Sequence, residues 1–282
     1  MQELRGMPVV NELTEKLKKD IIILNEHDII PTLAIIRIGE NEEDLSYERG
    51  AVKRFASVGA KVNVINLPKD CTQAQLENVL HTLNSDKDTH GILIFRPLPK
   101  TLSEDSLKNI INPDKDVDCF GSFGYAGLFS GDKNIYPPCT PQAVIELLDY
   151  YNIDVSGKKA VIIGRSSVVG KPLALMLLSR NATITVCHTK TINLPEECRR
   201  ADILIAAAGA AKMVKSDYVN SNQIIIDVGI NMEDNKLCGD VDYENAAPLV
   251  KAITPVPGGV GTITTAVLLK HTVKSAMLKL NY

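Results

Sequence analysis

Apolar and polar positions change their spacing several times along the chain, and each change predicts an element. Residues 9–24 carry apolar side chains at helical spacing with Lys and Glu between them, which predicts an amphipathic helix. Residues 32–38, TLAIIRI, are a short apolar run closed by Gly39 and predict a buried strand. A helix is expected over 46–58, ending at Gly59, and a strand over 62–67. Residues 72–85 read as a helix opened by a Thr cap. A third strand, GILIF at 91–95, is stopped by Pro97-Leu98-Pro99. Strand and helix in alternation argue for a parallel sheet covered by helices. Residues 112–141 break the pattern. They are irregular and rich in Pro and Gly, so they are expected to form a functional loop that also leads out of the first domain. The pattern then restarts with a helix over 142–151, a strand over 159–164 and a helix over 171–180. Strands over 182–187, 203–207 and 223–228 follow, and an amphipathic helix over 265–280 closes the chain.

Composition narrows the class. A length of 282 residues suits two domains, at about 150 residues each as a prior. With 45% hydrophobic and 23% charged residues the chain is of ordinary globular composition. The 31 basic and 34 acidic side chains leave a formal charge of −3, so no overall basic field draws nucleic acid or an anionic membrane. No apolar run approaches the ~20 residues that a membrane helix needs. The start, MQELRGMPVV, has no apolar signal core, so a cytoplasmic location is expected. The six cysteines show no C-x-x-C spacing and the five histidines are scattered. Free thiols and no metal site are therefore expected. Neither HExxH nor GxSxG occurs, which removes the usual support for a zinc protease or a serine hydrolase.

The turn after the 159–164 strand carries candidate chemistry. It reads Gly164-Arg165-Ser166-Ser167-Val168-Val169-Gly170-Lys171-Pro172. Strand, glycine turn, helix and strand follow one another as in a doubly wound nucleotide-binding unit. Backbone N–H groups at the helix start are expected to face a pyrophosphate. The spacing departs from GxGxxG, and a tight turn with no ligand fits it as well. An NAD site usually has Asp or Glu at the end of the next strand. Here that strand ends Cys187-His188-Thr189-Lys190. A cation such as Arg165, with a hydroxyl nearby, suits a 2′-phosphate, so NADP is favoured over NAD. The alternative for Arg165 is a solvated loop charge.

Taken in order, RPLP, KDVDCF, PPCTP, GRSSVVGKPLALMLLSRNATITVCHTKT and TPVPGGVGTIT cover nearly the whole chain. The pattern resembles the methylenetetrahydrofolate dehydrogenase/methenyltetrahydrofolate cyclohydrolase family. The resemblance implies an α/β protein of two domains with a cleft between them. Residues 1–139 plus 271–282 would form an N-terminal α/β catalytic domain that binds folate. Residues 140–270 would form a Rossmann-type NADP-binding domain. It implies a cytoplasmic homodimer acting on tetrahydrofolate derivatives in one-carbon metabolism. One step moves hydride from 5,10-methylenetetrahydrofolate to NADP, and the next hydrolyses the methenyl product to 10-formyltetrahydrofolate. By position, Tyr47 matches an active-site tyrosine lying against the aminobenzoate ring. Asp118 matches the carboxylate that holds the pterin, a task suited to paired N–H bonds. Pro257, Gly258, Gly259 and Gly261 would let backbone approach the substrate. Gly164, Arg165, Ser166, Thr189 and Ile230 would hold the cofactor.

The chain departs from that family at the point of chemistry. The lysine usual four residues after the tyrosine is Ala51. Lys53 lies about 240° further round a helix and does not share the face of Tyr47. The glutamine that usually partners the lysine is Phe95, with Arg96 where an apolar residue is usual. A buried amide without its partner costs roughly 1–3 kcal/mol, whereas replacing both partners is nearly neutral. Ala51 and Phe95 therefore look like one concerted change. Cys119 stands where glycine is usual, Gly124 near an expected asparagine, and Thr262 where proline is usual. Hydride transfer needs alignment and no protein base. Hydrolysis needs proton transfer, where a positioned base is worth about 10²–10⁴-fold. The expectation is a dehydrogenase whose cyclohydrolase activity is weak or lost. The alternatives are the full bifunctional enzyme, a folate/NADP-binding sensor without catalysis, and an amino-acid dehydrogenase of similar shape.

Overall fold

The computed structural model describes residues 1–234 and 236–281. In chain order the elements are β1 (Gln2–Glu3), α1 (Gly6–Glu26), β2 (Thr32–Ile38), α2 (Glu42–Ala56), β3 (Lys61–Leu67), α3 (Gln73–Ser85) and β4 (Gly91–Ile94). There follow α4 (Glu104–Ile110), α5 (Ser122–Ser130), α6 (Cys139–Tyr150), β5 (Lys159–Ile163), α7 (Gly170–Leu178), β6 (Thr183–Cys187), α8 (Leu194–Arg199) and β7 (Ile203–Ala206). The remainder are β8 (Ile224–Asp227), β9 (Asn231–Glu233), β10 (Lys236–Cys238), α9 (Tyr243–Ala246), β11 (Ala252–Ile253) and α10 (Thr264–Met277). The chain divides into two compact units, one of residues 12–139 with the chain from Thr265 onward, the other of residues 1–11 with 140–264.

The unit of the first half holds a three-stranded parallel sheet in the order β3-β2-β4. β2 lies between two neighbours and is buried from Thr32 to Arg37, which is why TLAIIRI reads as an unbroken apolar run. β3 is an edge strand, and its KVNVINL has no fully buried position. Ala34 and Ile36 of β2 pack with Leu76, Leu80 and Leu83 of α3 and with Leu107 and Phe120. A capping box fixes the start of α3, where Thr72 Oγ1 accepts from the Gln75 N–H and Gln75 Oε1 accepts from the Thr72 N–H.

The other unit holds a six-stranded sheet, order β1-β11-β8-β7-β5-β6, parallel throughout. After β5 the chain goes to β6 on one side and then returns to β7 on the other. The order therefore reverses at β5, the position where doubly wound sheets bind ligands beyond the carboxyl ends of their strands. Val161, Ile163, Leu204, Ala206, Ile225 and Ile253 are buried within one core here.

Several expectations change. Residues 1–11 belong with the second-half unit and not with 12–139, because β1 pairs with β11 at Gln2↔Ala252 and Glu3↔Ile253. A two-residue strand is too short to show a period. The return to the first unit comes at Thr265 and not at residue 271, because the last helix begins at Thr264. α2 starts at Glu42 instead of residue 46, capped by Asn41, whose Oδ1 accepts from the Glu43 N–H at 3.0 Å. The stretch 112–141 is not irregular throughout, since it contains α5. SFGYAGLFS has no polar face, and its glycines pack: Gly124 and Gly127 are buried. The short helices α4 and α8 and the antiparallel β9–β10 hairpin also carry no periodic signal long enough to be read.

Candidate active site and cofactor loop

On α2, Tyr47 is half-buried and Ala51, one turn on, is fully buried. Lys53 is exposed, as its place on the helix requires. The Phe95 ring meets Tyr47 edge to face, with centroids 5.8 Å apart and planes at 89°. An apolar contact thus stands where the family resemblance leads one to expect an amide. α2 is tied to the sheet beside Tyr47. Arg37 of β2 donates from Nε to Glu48 Oε2 at 2.8 Å, and from Nη1 to the Gly39 carbonyl. The two side chains are only 8% and 16% exposed.

Phe95 leads into Arg96, whose Nη2 lies 3.4 Å from Asp118 Oδ2 and whose Nη1 lies 3.5 Å from the Tyr125 hydroxyl. The guanidinium also sits over the Phe120 ring, 5.4 Å from its centroid. Burial lowers the Arg96 pKa, but Asp118 and Tyr125 outweigh it and hold the group above the ordinary arginine value. The other Asp118 oxygen, Oδ1, accepts from the Cys139 N–H at 2.8 Å. Asp118 is therefore fixed from both ends. Close by, Asp116 accepts the Phe120 and Gly121 N–H groups, each at 2.8 Å. Burial raises its pKa to about 6 against those bonds. The thiols of Cys119 and Cys139 are buried and pushed well up, so neither is a thiolate near neutral pH.

In the other unit, Gly164 ends β5 with φ +124°, a conformation that L side chains rarely adopt. A Cβ there would also stand 2.1 Å from the Ala207 carbonyl oxygen, so the turn lies directly against the end of β7. Arg165, Ser166 and Ser167 are exposed. One expectation is corrected here. Ser166 Oγ accepts from the Val169 and Gly170 N–H groups, and the Ser166 carbonyl accepts from Lys171. The first donors of α7 are consumed by the loop itself, while residues 165–167 stand exposed. Thr189 and Lys190 are exposed at the end of β6. The Lys190 N–H donates to His188 Nδ1 at 3.1 Å. No carboxylate stands between His188 and Lys190, and this set of residues fits a dinucleotide with a phosphorylated ribose.

Sequence reading missed two acids. Asp227, at the end of β8, accepts from Gly229, Asp240 and Val241 N–H groups at 2.9–3.1 Å. Asp240 accepts from Ala208, Gly209 and Ala210 N–H groups and from Asn231 Nδ2. Together they shape the 207–210 loop beside the Gly164 turn. Burial raises the Asp227 pKa to about 7, against the pull of the N–H donors. The close approach needs glycine, since a Cβ at Gly239 would lie 1.9 Å from Asp227 Oδ2. The available signal was an acid closing the apolar strand IIID, followed by Gly229. Ile230 is 64% exposed, and its Cδ1 lies 3.3 Å from where a Cβ on Gly261 would stand. The structure thus brings Ile230 to the PGGVG segment. Within that segment Pro257 is exposed, Gly258 has φ +105° and Gly259 is buried. The Gly258 carbonyl accepts the Gly6 N–H at 2.8 Å.

Among the described residues no group of His, Cys, Asp or Glu could hold a metal ion. No described helix is long and apolar enough to cross a membrane. Fold and turn define a two-domain α/β protein, one domain of which is built to bind a dinucleotide. Residues 4–118 match the catalytic domain of tetrahydrofolate dehydrogenase/cyclohydrolase, and residues 138–280 match its NAD(P)-binding domain. The bifunctional protein FolD of Carboxydothermus hydrogenoformans is 51% identical over 97% of this chain and 96% of its own. The bifunctional FolD enzyme of Campylobacter jejuni has a solved structure that superposes with a TM-score of 0.96. It is 41% identical, and 99% of each chain is covered. The Trypanosoma brucei enzyme, solved with NADP and an inhibitor, superposes with a TM-score of 0.93 at 30% identity, covering 99% of this chain and 98% of its own. The chain belongs to the tetrahydrofolate dehydrogenase/cyclohydrolase family.

Proposed function

We propose that this chain is an NADP-dependent 5,10-methylenetetrahydrofolate dehydrogenase whose cyclohydrolase step is weak or lost. The observation that carries the second half is the Tyr47–Phe95 contact beside the fully buried Ala51. Oxidation of the methylene bridge is driven by the adjacent folate nitrogen, and the protein's task is alignment. Tyr47 and Asp118 are the residues assigned to substrate, as ring platform and pterin acceptor, with Pro257, Gly258 and Gly259 offering backbone. Gly164, Arg165, Ser166, Thr189 and Ile230 would hold NADP, Arg165 with the hydroxyl of Thr189 suiting its 2′-phosphate. NADP, when bound, would supply the hydride acceptor. Hydrolysis of the methenyl carbon needs water to lose a proton, and neither Ala51 nor Phe95 can take one.

A second reading, the full bifunctional enzyme, is favoured by the relatives' names and by the fixed cation Arg96 near Asp118. Arginine stays protonated and is a poor base, which weighs against it. A paired assay separates the readings. The expected result is steady NADPH formation from methylenetetrahydrofolate while methenyltetrahydrofolate decays at the buffer rate. The double substitution Ala51→Lys with Phe95→Gln should raise hydrolysis about 10²-fold or more. Wild-type hydrolysis in step with NADPH formation would establish the bifunctional enzyme, and folate binding without NADPH formation would establish a sensor. The same preparation tests two further assignments. Light scattering should give a homodimer. All six cysteines are unpaired here, so thiol titration of the unfolded protein without reductant should count six.

A further inference from the structure

We propose that Arg96 is a positioning residue for folate recognition, which clamps Asp118 from the side opposite the Cys139 N–H and makes pterin capture depend on its guanidinium. The inference rests on the assignment of Asp118 to the pterin. Arg96 stands where the family resemblance leads one to expect an apolar side chain, so nothing in the shared reaction requires it. Its side chain is 12% exposed and that of Asp118 19%, so the pair is shielded from solvent screening. Three groups hold the guanidinium: Asp118 Oδ2 at 3.4 Å, the Tyr125 hydroxyl at 3.5 Å and the face of Phe120 at 5.4 Å. The backbone of Cys139 holds the opposite oxygen at 2.8 Å. A carboxylate so fixed keeps its remaining acceptor positions in one orientation, which is what paired N–H donors on a flat heterocycle need.

The clamp also has an electrostatic task. Asp118 has the buried Asp116 for a neighbour, along with the thiols of Cys119 and Cys139, while Tyr125 and Glu104 act on the guanidinium. Two carboxylates close together in a buried site disfavour double ionisation. Arg96 is the cation that offsets this. Without it the Asp116 carboxyl, which Arg96 pulls down, keeps its proton to higher pH, and the charge beside the pterin acceptor changes.

The test compares wild type, Arg96→Leu and Arg96→Lys in the dehydrogenase assay across pH, with methylenetetrahydrofolate binding followed by calorimetry and folding checked by thermal melting. Arg96→Leu should raise KM for methylenetetrahydrofolate about tenfold at neutral pH. It should move the acid limb of kcat/KM upward, with kcat and the NADP KM little changed. Arg96→Lys keeps the charge and loses the fork, so KM should rise while the acid limb stays in place. A folded Arg96→Leu protein with wild-type KM and acid limb overturns the proposal. If that variant does not fold, an unchanged KM in Arg96→Lys overturns it instead. Wild-type protein that fails to bind methylenetetrahydrofolate would overturn the underlying assignment of function, an outcome distinct from both.

Discussion

Cys119 and Gly124 illustrate how single residues depend on one another. Each departs separately from the family pattern, and in the sequence they are unrelated oddities. In the structure Cys119 is fully buried at φ +53°, and a Cβ on Gly124 would stand 2.7 Å from its sulfur. An L residue in the left-handed region costs roughly 1–2 kcal/mol. Burial of the thiol side chain offsets part of that, and the absence of a side chain at 124 makes room for it. Gly124→Ala alone should therefore destabilise by about 1–2 kcal/mol through overpacking. Cys119→Gly alone should change little, since relief of backbone strain opposes the void it leaves. Together they should be more stable than Gly124→Ala, because the clash is gone and alanine is the better helix former in α5. Urea denaturation of the four proteins gives the coupling, expected above about 1 kcal/mol. Strictly additive effects would mean that the two positions do not share this space. The same lesson holds at Ala51 and Phe95, where the sequence showed two losses and the coordinates add what fills the place, an edge-to-face contact with Tyr47.

Among elements, α2 carries the most consequence, because Tyr47 and Ala51 ride on it. The Arg37–Glu48 pair joins it to the central strand, with both side chains largely buried. Removing one member strands a charge, which costs about 3–5 kcal/mol, whereas replacing both with apolar groups is often tolerated. Glu48→Ala is expected to lower stability by about 3 kcal/mol and, on the proposal that Tyr47 is the platform for the substrate ring, to raise KM for the folate substrate as Tyr47 loses its footing. Arg37→Met with Glu48→Leu should recover most of the stability. Chemical denaturation and dehydrogenase kinetics of the three proteins check this, and a benign Glu48→Ala would show that packing alone seats the helix. Elements of this size were mostly legible. β2, α3, β5 and α7 announce themselves by period, cap or closing glycine. Illegible were β1, which gains its partner β11 from 250 residues away, and α5, whose glycines are packing devices that look like loop residues. The Asp227–Asp240 scaffold was equally hidden, since backbone N–H acceptance by a distant acid leaves no trace in spacing.

For the molecule as a whole, pH dependence follows from buried groups pulling in opposite directions. His90 Nδ1 accepts the Thr32 N–H at 3.2 Å, so that nitrogen carries no proton. His271 Nδ1 donates to the Val117 carbonyl at 2.9 Å and lies against the Tyr136 ring. Burial lowers both pKa values to about 4. In the unfolded chain they titrate near 6.5. Between these values the unfolded state binds protons that the native state refuses. The stability from neutral, buried histidine is therefore complete above about 6.5 and is lost as pH falls towards 4. The raised acids work the other way. Asp116, near 6, and Asp227, near 7, bind protons in the native state first, so acidification adds stability across their window. The two trends partly cancel in wild type, and a single pH profile cannot isolate either. A difference can. His271→Asn keeps a donor where Nδ1–H stood and removes the titration. The variant should be the less stable at pH 7, because the ring's packing is gone. Its deficit relative to wild type should shrink steadily between pH 6.5 and 4, since the carboxylate contributions are common to both and drop out. Urea midpoints of the two proteins at pH 7, 6, 5 and 4.5 measure this directly. A deficit that stays constant with pH would mean that His271 takes its proton in the folded protein as readily as in the unfolded chain.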